Sequence, residues 1–292
     1  MSGGDRGHRR RIDPDRLDPE HPDADDIDPD DFRIRRGERV DLAERRTDED
    51  LGLDKHHGKQ LTAELHERLA ELQSKLYAQR THRVLVVAQA MDTGGKDGLI
   101  KKLLLPVNPQ GVRVESFAAP SAVELAHDYL WRVHARVPAD GELVIFNRSH
   151  YEDVLVVRVH SLVAEERWRR RFDHIRHFEQ MLADEGTTIV KVFLHISRDE
   201  QRDRLQARLD DPTKHWKFDL ADLDERKRWD DYQQAYADAI SETSTDDAPW
   251  YVIPADHKWF RDLIVARIVV HTLDGLGLAY PESEDLSGVM VE

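Results

Sequence analysis

The chain has 292 residues, with 43 Lys and Arg against 58 Asp and Glu, a formal charge of −15 at pH 7, and no cysteine. The acidic balance argues against a general nucleic-acid binder held by phosphate contacts, although a local basic cluster can still hold a polyanion. The missing cysteines exclude disulfides, thiolate catalysis and Cys-based zinc sites. No stretch approaches the roughly 20 apolar residues of a membrane span, and the first residues carry no apolar signal core, so a cytoplasmic protein free of the membrane is expected.

Residues 1 to about 48 are rich in Asp, Arg and Pro, with four Asp-Pro or His-Pro pairs. Such a segment is expected to be a disordered or loosely draped extension. Leu61, Leu65, Leu69, Leu72 and Leu76 recur at helical spacing and predict a helix over 59–80. A strand at 84–89, a helix at 96–104 and a strand at 112–117 follow. Ser121, with Glu124 three residues on, predicts a capped helix through Arg136. A strand at 142–147 leads into a helical stretch from 154 to 185 that breaks near Ser161. Then come a strand at 187–196, a helix at 198–209, a loop at 211–218, a helix through Ile240, a strand at 250–254 and a helix at 257–273. Strands alternating with helices imply an α/β fold, a parallel sheet with helices on both faces. The expected organisation is one domain over 49–280, with a lid at about 208–240 and an acidic tail over 281–292.

Two apolar strands end in polar clusters. The first runs into Ala90-Met-Asp92-Thr-Gly94-Gly95-Lys96-Asp97. Strand, glycine turn, lysine and helix in that order make a phosphate loop, with Ala90 in place of the usual first glycine. Gly94 and Gly95 let N–H groups turn inward around phosphate oxygens, the helix start adds its dipole, and Lys96 supplies a mobile charge. Asp97 stands where a hydroxyl normally holds Mg²⁺; it either replaces that ligand or caps the helix. The second strand runs into Asn147-Arg148-Ser-His150-Tyr-Glu152-Asp153. Ligands of parallel sheets bind outside the carboxyl ends of the strands, so both clusters should face one crevice.

Within it, Asp92, Lys96 and Arg148 are the candidate catalytic residues. Arg148 could instead pair with Glu152 on the surface. Of Lys101 and Lys102, at most one can face the site. Asp92 is the first candidate ligand for Mg²⁺, or Mn²⁺ in its place, with Asp153 and Glu152 next. Asn147 and His150 are candidates for phosphate or nucleotide contacts. Arg208, Lys214, His215, Trp216 and Lys217 form a basic segment suited to a lid over phosphates. The alternative is a helix connection with Trp216 in the core and its lysines solvated.

The segments Gln89–Gly98, Asn108–Val114, Phe146–Leu155 and Asp211–Phe218, taken together, resemble the polyphosphate kinase 2 family over about residues 50–275. The form Asn147–Asp153 is similar to the subgroup that accepts both nucleoside mono- and diphosphates. The resemblance implies a P-loop kinase fold, a metal-binding aspartate at Asp92, and reversible Mg²⁺-dependent phosphoryl transfer from inorganic polyphosphate to nucleotides. One departure is Asn147, where most of the family has an aspartate. The residues alone leave two alternatives, an ATP-dependent nucleoside monophosphate kinase and a nucleotide-binding regulatory P-loop module. The expected partners are polyphosphate and nucleoside mono-, di- and triphosphates, without nucleic acid or membrane, in a homo-oligomer.

Overall fold

The computed structural model of the chain describes residues 23–282, 284 and 290–291. Its strands are β1 (Arg33–Ile34), β2 (Arg83–Ala90), β3 (Val112–Ser116), β4 (Leu143–Asn147), β5 (Thr187–His195) and β6 (Trp250–Pro254), in the sheet order β1-β6-β5-β2-β4-β3. All neighbours pair in parallel except β1, which runs antiparallel along the outer edge of β6. Val84–Ala88 are each no more than 1% exposed, as expected of a central strand covered on both faces. The chain leaves β2 for β3, returns to β4 beside β2, and then crosses to β5 on the other side. The switch point therefore lies at the carboxyl end of β2, where such sheets bind ligands.

The α-helices are α1 (Lys55–Gln79), α2 (Lys96–Leu103), α3 (Ala122–Leu125), α4 (Trp131–His134), α5 (Val156–Val159), α6 (Glu165–Asp184), α7 (Arg198–Asp210), α8 (Ala221–Lys227), α9 (Trp229–Thr243) and α10 (Lys258–Asp274). α1, α2 and α10 pack together on one face; α5, α6 and α9 pack on the other. No helix among the described residues is long and apolar enough to cross a membrane.

Three expectations need correction. The single helix over 121–136 is two one-turn helices, because the Asp128 carboxylate accepts from the N–H groups of Leu130 and Trp131 and starts a fresh turn. The 208–240 stretch expected to form a lid is not one exposed unit: α9 buries Trp229, Tyr232, Ala235, Tyr236 and Ile240 in the core, leaving the 211–228 segment outside it. The N-terminal extension is not loose where it is described. Ile27, Phe32, Ile34, Val40 and Leu42 are buried, and Phe32 packs edge-on to Phe260. Polar ties hold the same segment. Arg267 donates to the Ile27 carbonyl, Ser244 to the Ile34 carbonyl, and Thr47 to Asp256 at 2.7 Å. The part of that expectation covering residues 1–22, and most of the tail expectation, lie outside the described residues.

Candidate active site

β2 ends at Ala90, and Met91–Gly95 turn before α2 begins at Lys96. Gly95 has φ +97°, and a Cβ there would also strike the Arg261 guanidinium. A Cβ at Gly94 would lie 2.8 Å from the Met91 carbonyl oxygen. Both positions need glycine. Thr93 adopts φ +62° without being glycine, a left-handed conformation that costs about 1–2 kcal/mol. Lys96 Nζ donates to the Ala90 carbonyl at 3.0 Å, and the Tyr236 hydroxyl donates to the same oxygen at 3.0 Å. Burial, reinforced by the nearby Arg148 charge, lowers the Lys96 pKa below the ordinary lysine value.

The second cluster meets the first. Arg148, at φ +61°, brings Nη2 to 3.5 Å from Asp92 Oδ1. Burial raises the Glu152 pKa, although Arg148, Lys96 and a hydrogen bond from Gln89 all favour its charged form. Glu152 thus belongs to the crevice together with Asp92, Lys96 and Arg148. Asn147 Nδ2 donates to Asp97 Oδ1 at 3.0 Å, and Asp97 Oδ2 lies 3.7 Å from Lys217 in the 211–228 segment. Asp97 therefore links the end of β4 to that segment. Lys101 is exposed one turn along α2 from Asp97, while Lys102 points its charge toward Asp262 and His66.

Two candidates turn away. Asp153 is engaged by Arg171, which donates to its carboxylate at 2.8 Å and to its carbonyl at 2.9 Å, so it is not paired with Asp92 as a metal ligand. His150 is buried beneath the turn, with Nε2 3.2 Å from Glu179 Oε1, and does not reach the phosphate loop. The 3₁₀ turn at His150–Asp153 sends successive side chains in directions that strand alternation does not anticipate.

Other residues of the site come from distant elements. Arg204 Nη1 donates to the Thr93 carbonyl at 3.1 Å, Arg261 Nη1 to the Gly95 carbonyl at 3.2 Å, and Gln201 Nε2 to the Asp92 carbonyl at 3.2 Å. Arg204 carried a faint signal as a cation just ahead of the lid. Arg261 carried none, being 166 residues from its partner.

In the 211–228 segment Lys214 pairs with Asp211 at 2.7 Å, and Arg208, near the end of α7, lies 3.6 Å from Asp222 while donating to the Lys217 carbonyl. Lys214 and Thr213 hold the Asp211 pKa down to about 2. Trp216 is 79% exposed, with Lys217 Nζ 4.9 Å from its ring centre. That exposure removes the alternative in which Trp216 fills the core.

The chemistry of the crevice suits a hard divalent cation. Asp92 is one-third exposed with a single long ion pair, and it lies close enough to Glu152 to raise that carboxyl further. Thr93 Oγ1 and Gln89 Oε1 are buried in the loop region without hydrogen-bond partners. Among the described residues no group of three or more His, Asp or Glu could hold a metal alone. Mg²⁺-type sites commonly use one or two carboxylates plus substrate phosphates, and this donor set fits that pattern.

Comparison with known proteins gives the same picture. The family model of Polyphosphate kinase 2 (PPK2) matches residues 52–278. The chain is similar to an AMP/ADP-polyphosphate phosphotransferase of Meiothermus ruber, 60% identical over 238 residues, 80% of this chain and 89% of that protein. It is also similar to an ADP-polyphosphate phosphotransferase of Rhodopseudomonas palustris, 47% identical over 265 residues, 86% of this chain and 92% of that one. The crystal structure of polyphosphate kinase 2 from Arthrobacter aurescens TC1 superposes with a TM-score of 0.85 at 44% identity, covering 88% of this chain and 93% of that one. With the family model matched over residues 52–278 and these relatives covered over most of their length, the chain belongs to the polyphosphate kinase 2 family.

Proposed function

We propose that this enzyme transfers the terminal phosphoryl group of inorganic polyphosphate to nucleoside mono- and diphosphates, reversibly. One observation carries the reading: Arg148 meets Asp92 at the carboxyl end of β2, with Lys96 and Glu152 in the same charged cluster, and Lys217 approaches Asp97 from the basic 211–228 segment, which we read as a lid.

Phosphoryl transfer needs positioning and charge neutralisation rather than a protein nucleophile. A terminal phosphate oxygen of the acceptor attacks the terminal phosphorus of the chain. The bond from that phosphorus to its bridging oxygen breaks, and the shortened polyphosphate leaves with the negative charge. Lys96 and Arg148 face the charge that spreads over the transferred group. The Gly95 N–H and the start of α2 hold phosphate oxygens, while the Gly94 N–H, expected from the sequence to do the same, donates to the Met91 carbonyl at 2.9 Å and closes the turn. Asp92, with Glu152, would hold Mg²⁺, or Mn²⁺ in its place; the ion would neutralise phosphate charge as a Lewis acid. Lys214, Lys217 and Arg208 grip the donor chain as the lid closes and excludes water.

The test is a matrix of donors (polyphosphate or ATP) against acceptors (AMP, GMP, ADP and GDP) with Mg²⁺. ATP formation from ADP and polyphosphate is expected. Turnover only with ATP as donor would identify an ordinary nucleoside monophosphate kinase, and binding without turnover a regulatory module.

A further inference from the structure

The turn that carries Arg148 and Glu152 stands on a buried ionic network that takes no part in the site itself. Lys191, in the middle of β5, and Glu179, on α6, are 2.6 Å apart with side chains 0% and 2% exposed. Lys191 Nζ also donates to the Tyr151 hydroxyl at 2.9 Å and the Thr243 carbonyl at 2.8 Å. Glu179 Oε1 accepts from the Tyr151 hydroxyl at 2.8 Å and lies 3.2 Å from His150 Nε2. Burial pushes the Glu179 pKa upward, but Lys191 and His150 outweigh it and hold that carboxyl below its usual range. Replacing such a pair by apolar residues is often neutral or stabilising, so stability alone is a poor reason for it.

Its location supplies a better one. His150 and Tyr151 lie between Ser149 and Glu152, and Arg148 holds a left-handed backbone that persists only where its surroundings enforce it. From above, Ser149 Oγ accepts from Gln89 Nε2 at 3.1 Å and from the Tyr151 N–H at 3.2 Å. From below, His150 and Tyr151 are fastened to Glu179. We infer that the Lys191–Glu179 pair is a positioning device for phosphoryl transfer, fixing the turn through His150 and Tyr151 so that Arg148 and Glu152 project into the crevice. This rests on the role given to Arg148 above.

The test is the double variant Lys191→Met/Glu179→Leu in the full chain, which removes both charges together, alone and combined with Arg148→Ala. The thermal midpoint should stay near or above that of the parent. The kcat should fall about 100-fold, the size of loss that small misplacements cause, with the polyphosphate KM nearly unchanged. In the Arg148→Ala background the further loss should shrink to roughly tenfold or less, the share carried by Glu152, because the share carried by Arg148 is already gone. A folded double variant with kcat close to the parent, or an equal loss in both backgrounds, overturns the inference. Should the double variant not fold, Tyr151→Phe, which cuts the turn from Glu179 and leaves the ion pair in place, is put through the same comparison with the same outcomes. If Arg148→Ala alone stays active, the reading of Arg148 fails and this inference with it. If only the Lys191/Glu179 variant stays active, the inference alone fails.

Discussion

At the floor of the crevice, Lys96 rests its nitrogen on the Ala90 carbonyl and makes no ion-pair contact among the described residues, whereas Arg204 and Arg261, which hold the Thr93 and Gly95 carbonyls, are each paired with a carboxylate at 2.6 Å, Glu200 and Asp262. In the proposed lid and at the end of α7 leading into it, Lys214, Lys217 and Arg208 rest theirs near the carboxylates of Asp211, Asp97 and Asp222. A carbonyl orients a cation without cancelling its charge, so Lys96 keeps a positive field at the floor before any substrate arrives. A carboxylate cancels it, and an exposed ion pair is weak enough to yield to a polyanion. On the proposed function, the floor is prepared for the transferring phosphate, and the proposed lid would exchange one set of anions for another on closing. The first arrangement should govern kcat and the second KM.

The largest expected effect is at the floor. Lys96→Ala should lower kcat by several hundred-fold, or roughly 3–4 kcal/mol of transition-state stabilisation. Its thermal midpoint should not fall. The folded-state pKa of Lys96 is depressed, so its charged form costs the fold at every pH below that value, and the cost fades as pH rises to the ordinary lysine range. At pH 7 the variant is relieved of that cost. A midpoint many degrees lower would make Lys96 a structural residue instead.

Asp92→Asn should remove most of the activity and raise the Mg²⁺ concentration needed for half of what remains, at an unchanged midpoint. Activity within a few-fold of the parent would transfer the metal to Glu152 or Asp97. A milder effect comes with alkaline pH. The kcat/KM for polyphosphate should begin to fall below the ordinary lysine pKa of about 10.4, because burial makes Lys96 lose its proton early in the free enzyme. A flat profile up to that value would show that Lys96 does not titrate in the step.

Outside both regions, Phe32→Ala should cost about 3–5 kcal/mol of stability by emptying a buried aromatic site. The kcat measured well below the midpoint should stay the same. A matching loss of activity would tie the N-terminal segment to the crevice.

These contrasts also mark what the chain discloses before folding. Val84–Ala88, Leu143–Phe146 and Trp250–Pro254 were legible as strands because burial on both faces demands unbroken apolar runs. Lys96 and Arg148 were legible because each follows such a run at its carboxyl end. The directions of His150 and Asp153 were not, since a 3₁₀ turn obeys neither strand nor helix periodicity. Arg261 was hidden because only tertiary packing brings α10 to the loop. The order in residues 24–48 was hidden for another reason: Ile27, Phe32, Ile34 and Val40 sit singly among Asp and Arg, and a two-residue edge strand leaves no period to read.

The division between floor and lid is tested most directly by steady-state kinetics with polyphosphate and ADP for Lys96→Ala and Lys214→Ala/Lys217→Ala, side by side at low and high salt. The floor variant should lose kcat while its polyphosphate KM changes little. The lid variant should keep kcat and its KM for ADP, while its KM for polyphosphate rises several-fold and further with salt, as screening weakens the contacts that remain. A lid variant that loses kcat as the floor variant does, or one whose two KM values rise equally, would contradict the account.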